Sequence, residues 1–311
     1  MDDALDTLLQ AALAGPARGP QEDGGASLSM PAFRTAWSAL AARWPSPIDH
    51  AIVGGALADR LGYAYAAGYG AALRSLVPTL GRDTTACLCI TEAGGGHPRA
   101  IQTALVADGE GFTLTGAKRW ATLAGDGDVL LVAASTGWDA ERNQLRLVRL
   151  PADTPGVRFV ALPPTPFTPE VPHYEVTFDA VRVDASAVLP GDGYTTYIKP
   201  FRTIEDIHVS AAAAAYLLAS ARSGGWPVAL AGRLAALVVT LRALAGAPPD
   251  APATHVALGG ALALLDELSA AAAWAPGDPA AARWHRDAPL LRIAEKARAT
   301  RLAAAWAAVS R

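Results

Sequence analysis

The residues best suited to chemistry fall in two runs of the central sequence. The first is Leu88-Cys89-Ile90-Thr91-Glu92-Ala93-Gly94-Gly95-Gly96-His97-Pro98. Successive glycines let a backbone approach a phosphate or a flat ring closely, because no Cβ stands in the way. The same triplet reads equally well as a plain loop. The second run is Gly116-Ala117-Lys118-Arg119-Trp120-Ala121-Thr122, where Trp120 offers an aromatic face and Thr122 a hydroxyl. Taken alone, Trp120 suits a core aromatic of a β-domain. His97 can donate a hydrogen bond and, when protonated, meet an anion, while Pro98 restricts the backbone before it. Cys87 and Cys89 lie two apart on an extended run, on one face but too far apart for an unstrained disulfide. They read as small apolar strand residues, and the six histidines show no metal-ligand spacing.

These runs need a scaffold, and the hydrophobic pattern outlines one. Residues 1–14 read as a short amphipathic helix, followed by a Gly-, Pro- and charge-rich linker from Gly15 to Gly25. Helical spacing resumes from Met30 to Leu80, with Asp49 as a helix cap and Gly62 as the stop of that helix. From Ala86 to Leu189 the sequence alternates and carries frequent turn signals, which predicts a small barrel or sandwich. Within it, Val176-Thr177-Phe178 and Val181-Arg182-Val183 flank Asp179-Ala180 as a hairpin or a bulged strand. Four helices are expected after Thr203, at 203–222, 227–245, 253–274 and 279–309, separated by Gly224-Gly225, Pro248-Pro249 and Pro276-Gly277. Short connections make an antiparallel bundle of them. Within the second, Leu237-Val238-Val239-Thr240-Leu241 suits either core or interface.

Bulk composition narrows the function classes. The chain has 311 residues, 51% of them hydrophobic, and a formal charge of −3, which speaks against a nucleic-acid or basic membrane-binding surface. The start Met1-Asp2-Asp3 lacks a charged-then-apolar signal pattern, and the Ala-rich stretches are interrupted by Arg, Asp or Gly. A cytoplasmic protein is the expectation.

In this order, the two runs resemble signature blocks of the flavin-dependent acyl-CoA dehydrogenase family. The first is similar to the family's strand ending in Thr-Glu-Pro-Gly-Ala-Gly, the second to its Gly-x-Lys-x-Trp/Phe-Ile-Thr. Ala152-Asp153-Thr154-Pro155-Gly156-Val157 and Phe178-Asp179-Ala180-Val181-Arg182-Val183 resemble two later blocks. The resemblance implies an α+β fold with an N-terminal helical domain (1–83), a central β-domain (84–195) and a C-terminal antiparallel helical bundle (196–311). It implies FAD, with contacts from Leu88, Ile90, Thr91, Gly96, His97, Trp120 and Thr122. Backbone and hydroxyl at Ile90 and Thr91 would meet the pyrimidine edge, and Trp120 and Thr122 would lie beside the ring. It also implies α,β-desaturation of an acyl-CoA or carrier-bound thioester, an electron-transfer flavoprotein or similar acceptor, and a homodimer or homotetramer.

Such a reaction needs a carboxylate base in a dry pocket. Arg286-Asp287-Ala288 resembles the family's last helical block, which places the base at Glu295; Lys296-Ala297 replaces the family's Gly-Thr and should continue the helix. A second class of members carries its base on the first bundle helix, where Glu205 falls here, with Asp206 in place of the family's Arg. Either Glu also reads as an ordinary helical carboxylate. The chain departs from the family at His97-Pro98 in place of Ser-Asp, at Ser223-Gly224-Gly225-Trp226-Pro227 in place of Arg-x-x-Phe-Gly, and at Trp274-Ala275-Pro276-Gly277-Asp278 in place of Gly-Gly-x-Gly-Tyr. A flavin monooxygenase on the same scaffold and a non-catalytic or partner-dependent subunit are the competing readings.

Overall fold

A computed structural model describes residues 3–14 and 29–310; the expected linker at 15–25 lies outside the described residues. The chain divides into a helical unit (1–75, 166–170 and 203–311) and a β unit (76–165 and 171–202).

The helical unit contains α1 (Asp3–Ala14), α2 (Met30–Ala41), α3 (Pro47–Leu57), α4 (Leu61–Leu76), α5 (Lys199–Ser223), α6 (Val228–Leu244), α7 (Pro252–Ala270), α8 (Pro279–Asp287) and α9 (Glu295–Val309). Ser29 caps α2 through Oγ and Asp278 caps α8, each followed by a proline that needs no helical N–H partner. The core joins Phe33, Ile52, Leu61 and Tyr63 to the small-residue run Ala211–Ala215, Tyr216 and Leu217 of α5. Leu237, Val238 and Leu241 of α6 are fully buried in this core.

Close packing in this unit depends on glycine. A Cβ on Gly55 of α3 would stand 2.1 Å from the Ala212 carbonyl oxygen, and one on Gly68 of α4 2.6 Å from Val209 Cα. Asp49 does not cap α3: its carboxylate takes both Nε (2.6 Å) and Nη2 (3.1 Å) of Arg242, an ion pair that needs α6 beside it. Gly62 does not stop a helix either. It is the second residue of α4, and its hydrogen faces Glu170, whose Oε1 would lie 2.4 Å from a Cβ. The last helix expected from sequence is broken: α8 ends at Asp287, Ala288–Arg292 form a 3-10 turn around Pro289, and α9 starts at Glu295. Proline cannot donate to the preceding turn, and its ring clashes with the carbonyl there.

In the β unit, β1 (Ala86–Cys89), β2 (Ala104–Asp108), β3 (Gly111–Thr122), β4 (Val129–Asp139), β5 (Arg142–Pro151), β6 (Val157–Ala161) and β7 (His173–Val183) form one curled sheet in the order β1-β4-β2-β3-β7-β6, with β5 on β4. Residues 173–183 are a single bulged strand and not a hairpin, with Ala180 at φ +47° where the β3 register shifts. Cys87 and Cys89 are buried thiols with sulfurs 3.7 Å apart, inside a core of Leu114, Leu130, Val132, Val148 and Phe178. No helix among the described residues is long and apolar enough to cross a membrane.

Two stability tests follow for the helical unit. Gly55→Ala should destabilise by about 2–3 kcal/mol, as forced overpacking does, whereas Gly232→Ala on α6, with open space at its Cβ, should not; urea denaturation midpoints compare them. Buried His208 donates Nδ1–H to the Ile204 carbonyl (2.7 Å), and burial holds its imidazole near a pKa of about 4, against an ordinary 6.5. Its contribution is therefore complete above the ordinary value and drains as pH falls toward about 4, a loss of roughly 3 kcal/mol. His208→Leu should flatten that part of the stability-against-pH curve.

Candidate functional site

The site grows from an interruption in the sheet. β1 and β2 both run parallel to β4, meeting it at Val129–Val132 and at Ser135, and between them the chain leaves the ladder. The detour folds as a tight loop in which Glu92 and Gly95 exchange backbone hydrogen bonds (3.1 and 2.9 Å), with Gly95 at φ +100°. His97 then caps the single 3-10 turn Pro98–Ala100, its Nδ1 accepting from Arg99 N at 3.2 Å. Asn143 of β5 fixes the far side by donating Nδ2 to the carbonyls of Pro98 (3.0 Å) and Ile101 (2.9 Å).

Leaving the ladder strands backbone donors, and Glu92 collects them. Its Oε2 accepts from Gln102 N (2.8 Å); Oε1 accepts from Thr103 N (3.0 Å), Thr103 Oγ1 (2.8 Å) and Lys118 Nζ (2.7 Å). Lys118 also reaches the Ile90 carbonyl at 3.3 Å, and its side chain is wholly buried. Burial pushes the Glu92 carboxyl up, but Lys118 and the two backbone N–H groups outweigh it and hold the acid below its ordinary range. A buried charge pair is tolerable only when its remaining hydrogen-bonding positions are filled, as they are here.

The same strand explains Gly116 and exposes Trp120. Gly116 adopts φ +150°, and a Cβ there would stand 2.7 Å from Thr103 Cα, so the loop and β3 can touch only through glycine. Arg119 N donates to the Thr91 carbonyl at 2.7 Å, which draws the end of the first run onto β3. The β3–β7 register then slips between Lys118 and Ala121. Trp120, inside that slip, adopts φ +58° and is 49% exposed. A bulky residue in the left-handed region costs about 1–3 kcal/mol and persists only where its surroundings enforce it. Leu123 repeats the conformation at φ +60°.

Around this corner Thr91 and Gly96 adjoin, a Cβ on Gly96 lying 3.3 Å from Thr91 Oγ1. Thr122 pairs with His173 of β7, and the His173 ring meets Trp120 edge-on at 6.0 Å. The β unit thus brings Ile90, Thr91, Gly96, Trp120 and Thr122 onto neighbouring segments. Leu88 is buried in β1, and His97 stands exposed at the outer end of the loop. Glu205 and Glu295 belong to the helical unit: Glu205 is half-buried on α5, whereas Glu295 is exposed as the first residue of α9. Glu295 lines a cleft of about 480 Å³ between α7 and α9, floored by Leu258, Leu262 and Leu302. No group of three or more His, Cys, Asp or Glu among the described residues could hold a metal ion.

The residue types suit a ring that is flat on its faces and polar at its edge: a half-exposed tryptophan, two threonines and a glycine-opened backbone lie on segments that adjoin in the β unit. Sequence reasoning missed Glu92, Lys118 and His173. The first two carried a signal, an acid closing one run and a lysine within the next. His173 had none, because only strand register brings it to Trp120.

Comparison with known proteins bears on the β unit and on the fold. Residues 87–181 match the family model described as acyl-CoA dehydrogenase, middle domain. Acyl-CoA dehydrogenase family member 11 of Gallus gallus is 30% identical over 127 residues, and its counterpart in Mus musculus 30% over 128. Each match takes in 38% of this chain and spans only 16% of the length of the relative. Among solved structures, butyryl-CoA dehydrogenase from Megasphaera elsdenii aligns over 100% of this chain and 99% of its own, with TM-score 0.70 and 15% identity. A glutaryl-CoA dehydrogenase from Mycobacterium smegmatis in complex with FADH2 aligns over 98% and 95%, with TM-score 0.66 and 17% identity. At such identities the structural matches establish the fold.

The charge pair predicts acid sensitivity. Because the folded-state pKa of Glu92 is depressed, its stabilisation is complete above the ordinary value of 4.5 and is lost as pH falls below it. Thermal melts between pH 6 and 3 should show this loss in the parent chain and less of it in Glu92→Gln/Lys118→Met. Lys118→Met alone, which strands the carboxylate, should cost about 3–5 kcal/mol at neutral pH.

Proposed function

We propose that this chain, which over residues 87–181 matches the acyl-CoA dehydrogenase middle domain, is an FAD-dependent oxidoreductase of that family that desaturates an acyl-CoA or related thioester between its α and β carbons. The observation that carries the reading is Trp120, half-exposed in a costly backbone conformation two residues before Thr122 and next to Arg119, whose N–H holds the Thr91 carbonyl. Thr91 and the Ile90 backbone would hold the pyrimidine edge of the flavin, Trp120 would flank the ring, and Thr122 would contact it. Gly96 would give the close backbone approach. FAD, when bound, supplies the acceptor for the hydride that leaves the β carbon.

The protein's own chemical task is to take the α proton. A base gains a pKa near neutrality by desolvation, so burial favours half-buried Glu205 over exposed Glu295. Electrons would pass onward to an electron-transfer flavoprotein or a similar acceptor, and the working form would be a homodimer or homotetramer.

One observation favours a second reading, a non-catalytic or partner-dependent subunit. The two links that depart from the family's cofactor motifs pack on each other: Trp226 of the first is buried and meets Trp274 of the second edge-to-face at 4.8 Å. Trp284 and Tyr216 complete this aromatic cluster. Those links therefore serve the interior of the helical unit.

A visible spectrum of the purified protein, before and after FAD loading and desalting, tests the choice. The catalytic reading expects flavin bands that bleach anaerobically with an acyl-CoA, loss of flavin retention in Trp120→Gly without loss of stability, and flavin reduction slowed about 10²–10⁴-fold in Glu205→Gln. Equal slowing in Glu295→Gln alone would move the base to α9. A flat spectrum in both samples would favour the subunit reading.

A further inference from the structure

Within the helical unit, a cavity of about 250 Å³ is lined from four helices and the turns beside them. Ser46 and Ile48 come from the start of α3, Ser75 from the end of α4, His208 from α5, and Arg242 and Gly246 from the end of α6 and the turn after it. His208 is built into the interior, with 1% of its surface exposed, and its Nδ1–H is spent on the Ile204 carbonyl at 2.7 Å. A carbonyl only accepts, so Nδ1 carries the proton of the neutral ring and Nε2 presents a lone pair. Burial keeps the ring neutral, helped by the positive charge of Arg74 and opposed by the Ile204 contact. Among the described residues, nothing bonds that second nitrogen, and the hydroxyls of Ser46 and Ser75 have no hydrogen-bond partner either. Ser46 stands at the N-cap of α3, yet its side chain takes no part in capping. No acidic side chain lines the cavity, and the Asp49 carboxylate turns both its oxygens to Nε and Nη2 of Arg242.

The cavity thus brings together two hydroxyls and a guanidinium that can donate with one imidazole nitrogen that can only accept. They meet at the first turn of α3, where the peptide dipoles favour negative charge. A ligand that matches all of these groups is an anion that keeps an O–H of its own. We propose that this cavity is a binding site for a small oxyanion carrying a hydroxyl, of which hydrogen phosphate is the simplest: Arg242, Ser46 and Ser75 donate to its oxygens, and its O–H donates to Nε2 of His208. Sulfate has the same tetrahedral shape but no O–H at neutral pH, so it would set an oxygen against the imidazole lone pair. Because the lining side chains come from α3, α4, α5 and α6, an occupant binds only the folded helical unit and stabilises it by mass action. The site shares no residue with the Trp120 corner and needs no flavin.

Isothermal titration calorimetry of the full chain at neutral pH, with sodium phosphate and sodium sulfate at matched ionic strength, tests the site alongside thermal melts in each salt. Phosphate should bind saturably, one per chain, and raise the melting temperature, with sulfate weaker by about 10-fold or more. Ser46→Ala and Ser75→Ala remove hydroxyls that no protein group engages. Each should keep the phosphate-free melting temperature of the parent chain and weaken phosphate about 5-fold. His208→Leu should abolish the preference for phosphate over sulfate; if that variant does not fold, the two serine variants decide. Absence of saturable phosphate binding, equal affinity for the two anions, or serine variants that bind phosphate like the parent chain would each overturn the assignment. So would a folded His208→Leu that still prefers phosphate.

Discussion

The contact between Glu92 and Lys118 holds the β unit's distinctive corner in place. A sheet that drops a stretch of strand leaves peptide groups without ladder partners, and such groups are expensive away from water. Here one carboxylate takes donors from Gln102, Thr103 and Lys118, and the ammonium returns a contact to Ile90. The detour between β1 and β2 can then exist inside an otherwise regular sheet. With it come the proximity of Thr91 to β3, the need for glycine at 116, and the slip in register that turns Trp120 outward.

The two units spend their conformational freedom differently. The helical unit uses glycine to bring backbones together at Gly55 and Gly68, and places Thr168 in the left-handed region at φ +47°. The β unit places non-glycine residues in the left-handed region at Trp120, Leu123, Ala140 and Ala180. Two of these lie within four residues of each other at the candidate site. Concentrated local strain of this kind is sustained by its surroundings and marks places where geometry serves something other than stability.

Much of this was legible in the sequence because local rules carry it. The breaks expected at Gly224-Gly225, Pro248-Pro249 and Pro276-Gly277 all fall between helices, and the strand runs sit where alternation placed them. What stayed hidden depends on partners far along the chain. Asp49 looked like a cap because nothing nearby announces Arg242, and Gly62 looked like a helix stop because Glu170, which fills the space beside it, lies over a hundred residues away. The register that joins His173 to Trp120 is set by two bulges, and a period-two pattern does not encode where a ladder slips. Pro289 was readable in principle, since a proline inside a helical pattern is a recognised boundary.

The helical unit is discontinuous, its two main portions separated by more than a hundred residues, with the short segment Pro166–Glu170 contributed from between them. During synthesis, α1–α4 leave the ribosome with their core faces unmatched, since Ile52 and Tyr63 await Ala211–Tyr216. The sheet, whose strands are all complete by Val183, can close first. At roughly 5–20 residues per second, the early helices spend on the order of ten seconds without their partner, a window in which apolar surface is open to chaperones or to other chains.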